Sequence, residues 1–290
     1  MTALSRATAH LPASHDARAE LRAALAIARK ELQVARRYPL NLVNEVLQPL
    51  YQFLLPSLLL GATFLVGGRA LGFEAVTGTT DVAGYLFLGS LVAGLIGTGF
   101  WEIAFSFKRE MDAGTLEPHW LTPTRPSTIV LGRAISGLAI AGGASVVLLG
   151  LGAIVFGASL GPGLLLALPA LLIAGLSIVG IGFLVSSLVL LMRDPNFFVD
   201  AGSFVYGILT GVAAPVLVLP LFVQPISYLL PTTYALDILR VGALGTVPIA
   251  PLPLEWLALS GLTIVIYLAG RRAFERTERR MRRMGTLGQH

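Results

Sequence analysis

Cysteine is absent from the 290-residue chain, which excludes a disulfide framework, a thiolate metal site and a cysteine nucleophile. Charge is scarce as well. Asp, Glu, Lys and Arg make up 13% of the sequence, about half the share of an ordinary soluble domain. Lys30 and Lys108 are the only lysines beside nineteen arginines. A Walker A loop needs Gly directly before its Lys; these two follow Arg29 and Phe107, so the chain carries no phosphate-binding loop of that kind. His10, His15, His119 and His290 are scattered, with no HExxH or other metal-ligand spacing. Gly157-Ala-Ser159-Leu-Gly161 matches GxSxG, yet that elbow requires a strand-to-helix turn and a histidine partner. Here it falls in a turn between two apolar runs, so Ser159 reads as a small turn residue.

What remains is apolar. The hydrophobic set is 55%, glycine adds 32 residues, and the mean hydropathy is +0.77. That composition excludes a soluble enzyme and points to an all-α integral membrane protein. A spanning helix needs about 20 mostly apolar residues, so the uncharged runs serve as a ruler. No charge occurs between Arg133 and Arg193; as one helix this stretch would be roughly 90 Å long, about three hydrocarbon thicknesses, so it must turn back at Gly157–Gly163. The runs predict six spans, near residues 49–68, 82–106, 128–157, 163–192, 197–220 and 254–271. They form a 41–272 transmembrane domain between an N-terminal segment, 1–40, and a basic tail, 273–290. Residues 224–253 are apolar but broken by Pro225, Pro231, Pro248, Pro251 and Pro253, the pattern of short helices at or dipping into the outer surface.

Arg69 and Arg240 are the only basic residues of the loops on one side, and the other 19 of 21 lie on the opposite side. The positive-inside rule makes that basic side, with both termini, cytoplasmic. The same placement explains a pI near 9.9 without nucleic acid. Residues 1–20 lack the apolar core of a signal peptide, and the N-terminus is expected to stay inside. From Asp16 to Arg37, Leu21, Leu25, Ala28, Leu32 and Ala35 recur at spacings of three and four among six basic residues. This predicts an amphipathic helix on the inner bilayer surface.

Two places carry candidate chemistry. Glu102, beside Trp101 at the inner end of the second span, is a possible substrate or proton contact, as intramembrane carboxylates often are; pairing with a basic neighbour is the plainer role. Gly207-Ile-Leu-Thr-Gly211 is a GxxxG that would suit close helix packing and gating. The most informative segment is 108–126: it is dense in charge and sets Leu116, Trp120 and Leu121 on one face, with Pro118 interrupting.

At this segment, Phe107-Lys-Arg109-Glu110, Gly114-Thr115-Leu116-Glu117 and Trp120-Leu121-Thr122-Pro123 resemble the coupling segment of ATP-binding-cassette type-2 permeases, the membrane subunits of drug, polysaccharide and lipid exporters. Arg193-Asp194-Pro195-Asn196 and the stretch from Gln224 to Leu236, with Arg240, fit the same family. Pro118-His119 departs from its pattern. The resemblance implies a bacterial inner-membrane subunit that binds no cofactor itself, ATP and Mg being held by a separate cytosolic ATPase. It also implies a second permease copy. Arg109, Glu110, Gly114 to Glu117 and Trp120 to Pro123 would couple to the ATPase, whose closure would drive alternating access and export of an amphipathic drug, lipid or glycan. The rival expectation is a proton-coupled secondary transporter using Glu102, for which an internal repeat is not visible.

Overall fold

The computed structural model describes residues 17–55, 71–112, 125–155, 161, 163–192 and 194–284. Among them there is no strand. The order is α1 (Ala17–Arg37), α2 (Pro39–Pro49), α3 (Leu71–Thr77), α4 (Val82–Gly97), α5 (Ser106–Asp112), α6 (Pro126–Val155), α7 (Gly163–Val189), α8 (Asn196–Thr210), α9 (Gln224–Ser227), α10 (Pro231–Leu244) and α11 (Leu252–Met284). Four described helical stretches are long and apolar enough to cross a membrane: Val82–Glu110, Pro126–Leu151, Gly163–Val189 and Leu252–Met281. The chain is therefore a multi-pass, all-helical membrane protein. Part of the first expected span, residues 56–68, lies outside the described residues, as does most of the Gly157–Gly161 turn.

The centre is built by α4 and α7. Apolar residues all round a helix leave no face suited to water, and α4 buries Tyr85 to Val92 almost without interruption. Along α7, Ala167, Ala170, Ala174 and Ile178 are buried, and glycines let neighbouring backbones close in. A Cβ on Gly270 of α11 would lie 2.1 Å from the Gly180 carbonyl oxygen of α7. At the other end of α7, a Cβ on Gly163 would lie 2.5 Å from the Gly242 carbonyl of α10. Small residues at helix crossings permit this approach in a bilayer, where packing rather than water exclusion holds helices together.

Two sequence expectations change. The fifth span does not continue as helix to residue 220: α8 stops at Thr210, and Gly211 caps it with φ +85°. Gly207 and Gly211 are therefore not a helix-packing GxxxG. Gly211 is glycine because the left-handed cap conformation penalises a Cβ. The tail after 272 is not separate either, because α11 runs unbroken to Met284, supported by Arg271–Glu275 (3.0 Å) and Arg279–Glu275 (3.4 Å) pairs one turn apart. Within 224–253, α10 packs inward, with Thr232, Thr233, Leu236, Leu239 and Arg240 all buried.

Two short π-helical turns interrupt the α pattern, at Leu50–Leu54 and Thr98–Ile103. The first directly follows Pro49, whose missing N–H cannot continue the α ladder; Leu55 instead donates to the Leu50 carbonyl, five residues back. In the second, Ala104 N–H donates to Gly99 O at 3.2 Å. Such wide turns are rare and often sit at functional sites. Here they flank one cavity.

Candidate functional site

The cavity, of about 300 Å³, lies where α2, α4 and α8 meet. Glu45, Gln48 and Gln52 line one wall, Thr98, Trp101 and Glu102 a second, and Asp200 and Ser203 a third. The wide turn over Thr98–Ile103 brings Trp101 and Glu102 to the same cavity, although neighbours in an ordinary α-helix diverge by 100°. Trp101 also stacks on Phe105, with ring centroids 5.1 Å apart and planes 7° from parallel. Both neighbouring candidates from the sequence thus reach one space. Gly207 and Gly211 do not line it.

Glu102 is ion-paired with Arg109 at 3.1 Å, and the Arg109 guanidinium also donates to the Trp101 carbonyl at 2.8 Å. The pair is half-exposed, so it is weak as a source of stability; its effect is to fix the two side chains over the π turn. Burial, and then the negative charge of Glu102, pushes the Glu45 carboxyl above its ordinary range. Three carboxyl groups, one of them paired with an arginine, thus line the cavity beside an aromatic edge.

Glu110 takes a different place from Glu102. Rather than pointing outward, it is buried and accepts from the Arg133 guanidinium of α6 at 2.6 Å. Arg133 is also 3.5 Å from Glu31 of α1. Three elements therefore converge on one cation: α5, which leads into the 113–124 stretch, α6, which leaves it, and the N-terminal helix. A buried guanidinium needs such partners, since an unpaired one costs several kcal/mol. Gly114, Thr115, Leu116, Glu117, Trp120, Leu121, Thr122 and Pro123 lie outside the described residues.

Helix α1 reaches Arg133 because it packs on α6. Ala24 and Ala28 are buried while Leu21 and Leu25 stay exposed, so the stripe expected to face lipid is divided. Ala24, Ile27, Ala28 and Glu31 face the protein, Leu21 and Leu25 face out beside it, and the basic residues fill the rest. Glu20 extends the seam, accepting from Thr128 and lying 4.0 Å from Arg125. Gly132 is the closest approach: a Cβ there would fall 2.7 Å from Ile27 Cβ and 2.9 Å from the Ala24 carbonyl oxygen. Gly132→Leu is expected to cost about 1–3 kcal/mol by overpacking and to raise hydrogen exchange in residues 17–37 selectively. Unchanged protection there would contradict the packing.

At the far end of the bundle a second polar cluster ties α10 to α4 and α8. Arg240, 3% exposed, lies with its guanidinium carbon 3.4 Å from the centroid of the Tyr85 ring. It donates to the carbonyls of Tyr85 (3.2 Å), Gly211 (2.9 Å) and Val212 (3.0 Å). Burial lowers its pKa to about 10, so it stays a cation at neutral pH. Asp237, one turn earlier, accepts from the Ile249 amide at 2.9 Å, and burial raises its carboxyl above the ordinary 3.8. The sign follows. The folded state holds that proton more tightly, so stability present below pH 3.8 is lost as pH rises through the raised value. Asp237→Asn should flatten this part of a stability–pH curve, and an unaltered slope would contradict the assignment. The sequence alone placed Arg240 in a loop passage and gave no sign of its burial.

The family comparison decides what bundle this is. Residues 22–244 match the model of the ABC-2 type transporter family. The chain belongs to the ABC-2 transporter family. Among curated relatives, a protein described as a probable multidrug ABC transporter permease, YbhR of Escherichia coli (strain K12), is 26% identical over 193 residues, covering 66% of this chain and 52% of its own length. Its counterpart in Escherichia coli O157:H7 matches to the same extent. The chain spans about half the length of these relatives. The ABC-2 match runs from Arg22 within α1 to the end of α10, and with them takes in the Arg133 junction, the cavity and the Arg240 cluster; it stops where α11 has yet to begin.

Proposed function

We propose that this ABC-2 protein is the membrane subunit of an ATP-driven exporter of amphipathic molecules, and that its cargo carries a positively charged group. The observation that carries this reading is the cavity between α2, α4 and α8, polar and acidic on three walls yet edged by Trp101. A cation that leaves water can regain stabilisation from carboxylates and from an aromatic face, while an anion would be repelled. The name of the Escherichia coli relatives, a probable multidrug permease, agrees with an amphipathic cargo.

In this reading the protein sits in a bacterial inner membrane, with both termini and the 108–126 segment in the cytosol. It works with a separate ATPase subunit, which holds ATP and Mg, and with a second permease copy. Movement of 113–124 on nucleotide-driven closure reaches α6 and α1 together through Glu110, Arg133 and Glu31. Arg109, next to Glu110 in the chain, pairs with Glu102 of the cavity wall, so the same movement bears on the cargo site. Coupling of this kind requires the cargo to bind the two states with different affinity.

The test is transport in proteoliposomes containing the chain and its ATPase. Glu45→Gln with Glu102→Gln should raise the KM for a cationic amphiphile by about tenfold, near 1.4 kcal/mol of lost attraction, and leave a neutral amphiphile within about twofold. Equal losses for both cargoes would contradict the charge reading. A proton-driven carrier using Glu102 would instead lose transport driven by a pH gradient in the absence of ATP.

A further inference from the structure

Helix α11 presents two unlike faces along its length. Leu259, Thr263, Gly270, Phe274 and Met281 are buried, and Phe274 packs on Phe183 of α7 with centroids 5.5 Å apart. This pins the rotation of the helix. On the opposite face Leu254, Leu257, Val265 and Leu268 are 56%, 69%, 61% and 41% exposed. At the same spacing of three and four residues the stripe then changes chemistry, passing from Leu268 to exposed Arg272, Arg276 and Arg280. Leu268 and Arg272 are one turn apart, about 6 Å of rise.

Among the described residues no ion pair engages Arg272, Arg276 or Arg280. Of the two acids on these turns, Glu275 and Glu278, Glu275 is occupied by Arg271 on one side and Arg279 on the other. An open cleft of about 560 Å³ lies over Arg272, Glu275, Arg276, Arg279 and Arg280. One face thus supplies an exposed apolar strip followed within one turn by guanidinium groups that no acid among the described residues pairs. A guanidinium fork matches phosphate oxygens in two-point hydrogen bonding, and juxtamembrane basic clusters attract acidic lipid headgroups.

We propose that this face of α11 is a binding site for an anionic phospholipid. Its acyl chains lie along Val265 and Leu268, and its phosphate is held by Arg272 and Arg276. The apolar strip immediately above, part of a helix long and apolar enough to cross a bilayer, sets the arginines at headgroup level, where acidic lipids are the nearest anions. The site stands apart from the cavity and from the Arg133 junction, so it does not depend on the proposed cargo or on the ATPase.

The experiment is native mass spectrometry of the full-length protein released from detergent. Phosphatidylglycerol, phosphatidylcholine with the same acyl chains, and inorganic phosphate are titrated separately. With roughly fivefold from each of two arginines, phosphatidylglycerol should bind about thirtyfold more tightly than phosphatidylcholine. Arg272→Gln with Arg276→Gln should abolish that preference, and the double Lys variant should keep most of it. Equal affinity of the wild-type protein for the two lipids overturns the proposal, as does an undiminished preference in the double Gln protein shown to be folded by circular dichroism. If the double Gln protein does not fold, the wild-type comparison and Arg276→Gln alone decide. Inorganic phosphate binding as tightly as the lipid would make this a free-anion site and overturn it. So would loss of ATPase binding in the double Gln protein with its lipid preference intact.

Discussion

Replacing Arg133 by Met is expected to lower stability by about 3 kcal/mol or more, the usual cost of breaking a buried ion pair and stranding its partner. Glu110 would be left buried without the guanidinium 2.6 Å away, and Glu31 would lose the same cation at 3.5 Å. The functional loss should exceed the structural one. At a temperature where the variant is folded, ATP-dependent transport should fall more than tenfold while ATP hydrolysis by the partner continues. Glu110→Gln should lose less, because an amide oxygen still accepts from Arg133. A double-mutant cycle over positions 110 and 133 should give a coupling energy above about 1 kcal/mol. If single and double losses simply add, the two residues do not act together, and the 113–124 stretch must reach α6 by another route.

The second large effect concerns Arg240. Arg240→Met removes the donor for the carbonyls of Tyr85, Gly211 and Val212 together with the cation over the Tyr85 ring. The Tyr85 carbonyl keeps its bond within the helix, but those of Gly211 and Val212 are left without a partner at about 1–3 kcal/mol each, so a loss of about 2 kcal/mol or more is expected, read as a drop in unfolding temperature of the detergent-solubilised protein. Arg240→Lys should recover only part of it, because an ammonium cannot reproduce the planar fork that serves three carbonyls. Close to wild-type stability in the Met variant would mean that water enters and satisfies the carbonyls. In that case α10 is not held to α4 and α8 by this residue.

Much of the architecture is legible in the sequence, because a bilayer imposes a length on uncharged runs. The stretch between Arg133 and Arg193 must be two helices by arithmetic alone, and α6 and α7 are those helices. Trp101 and Glu102 were legible as a pair worth attention, and a shared cavity joins them. Other features depend on tertiary distance, to which residue spacing is blind. Glu110 stands on a charged segment that the resemblance assigns to coupling, and spacing gives no sign that it turns inward to Arg133, where Glu31 also arrives from another helix. Gly211 belongs to a GxxxG by spacing, but the irregular chain at Ala214–Pro215 follows it and the helix ends there. The division of the α1 stripe, Ala24 and Ala28 inward and Leu21 and Leu25 outward, depends on Gly132, more than a hundred residues away.

The proposed function has this ABC-2 protein driven by a separate ATPase through the elements that meet at Arg133. The direct measurement reconstitutes the chain in liposomes, with and without its ATPase subunit, and follows a fluorescent cationic amphiphile. Accumulation should require both proteins and ATP, should stop with vanadate, and should fail with Arg133→Met despite continued hydrolysis. Accumulation by the chain alone, or indifference to vanadate, would contradict the claim.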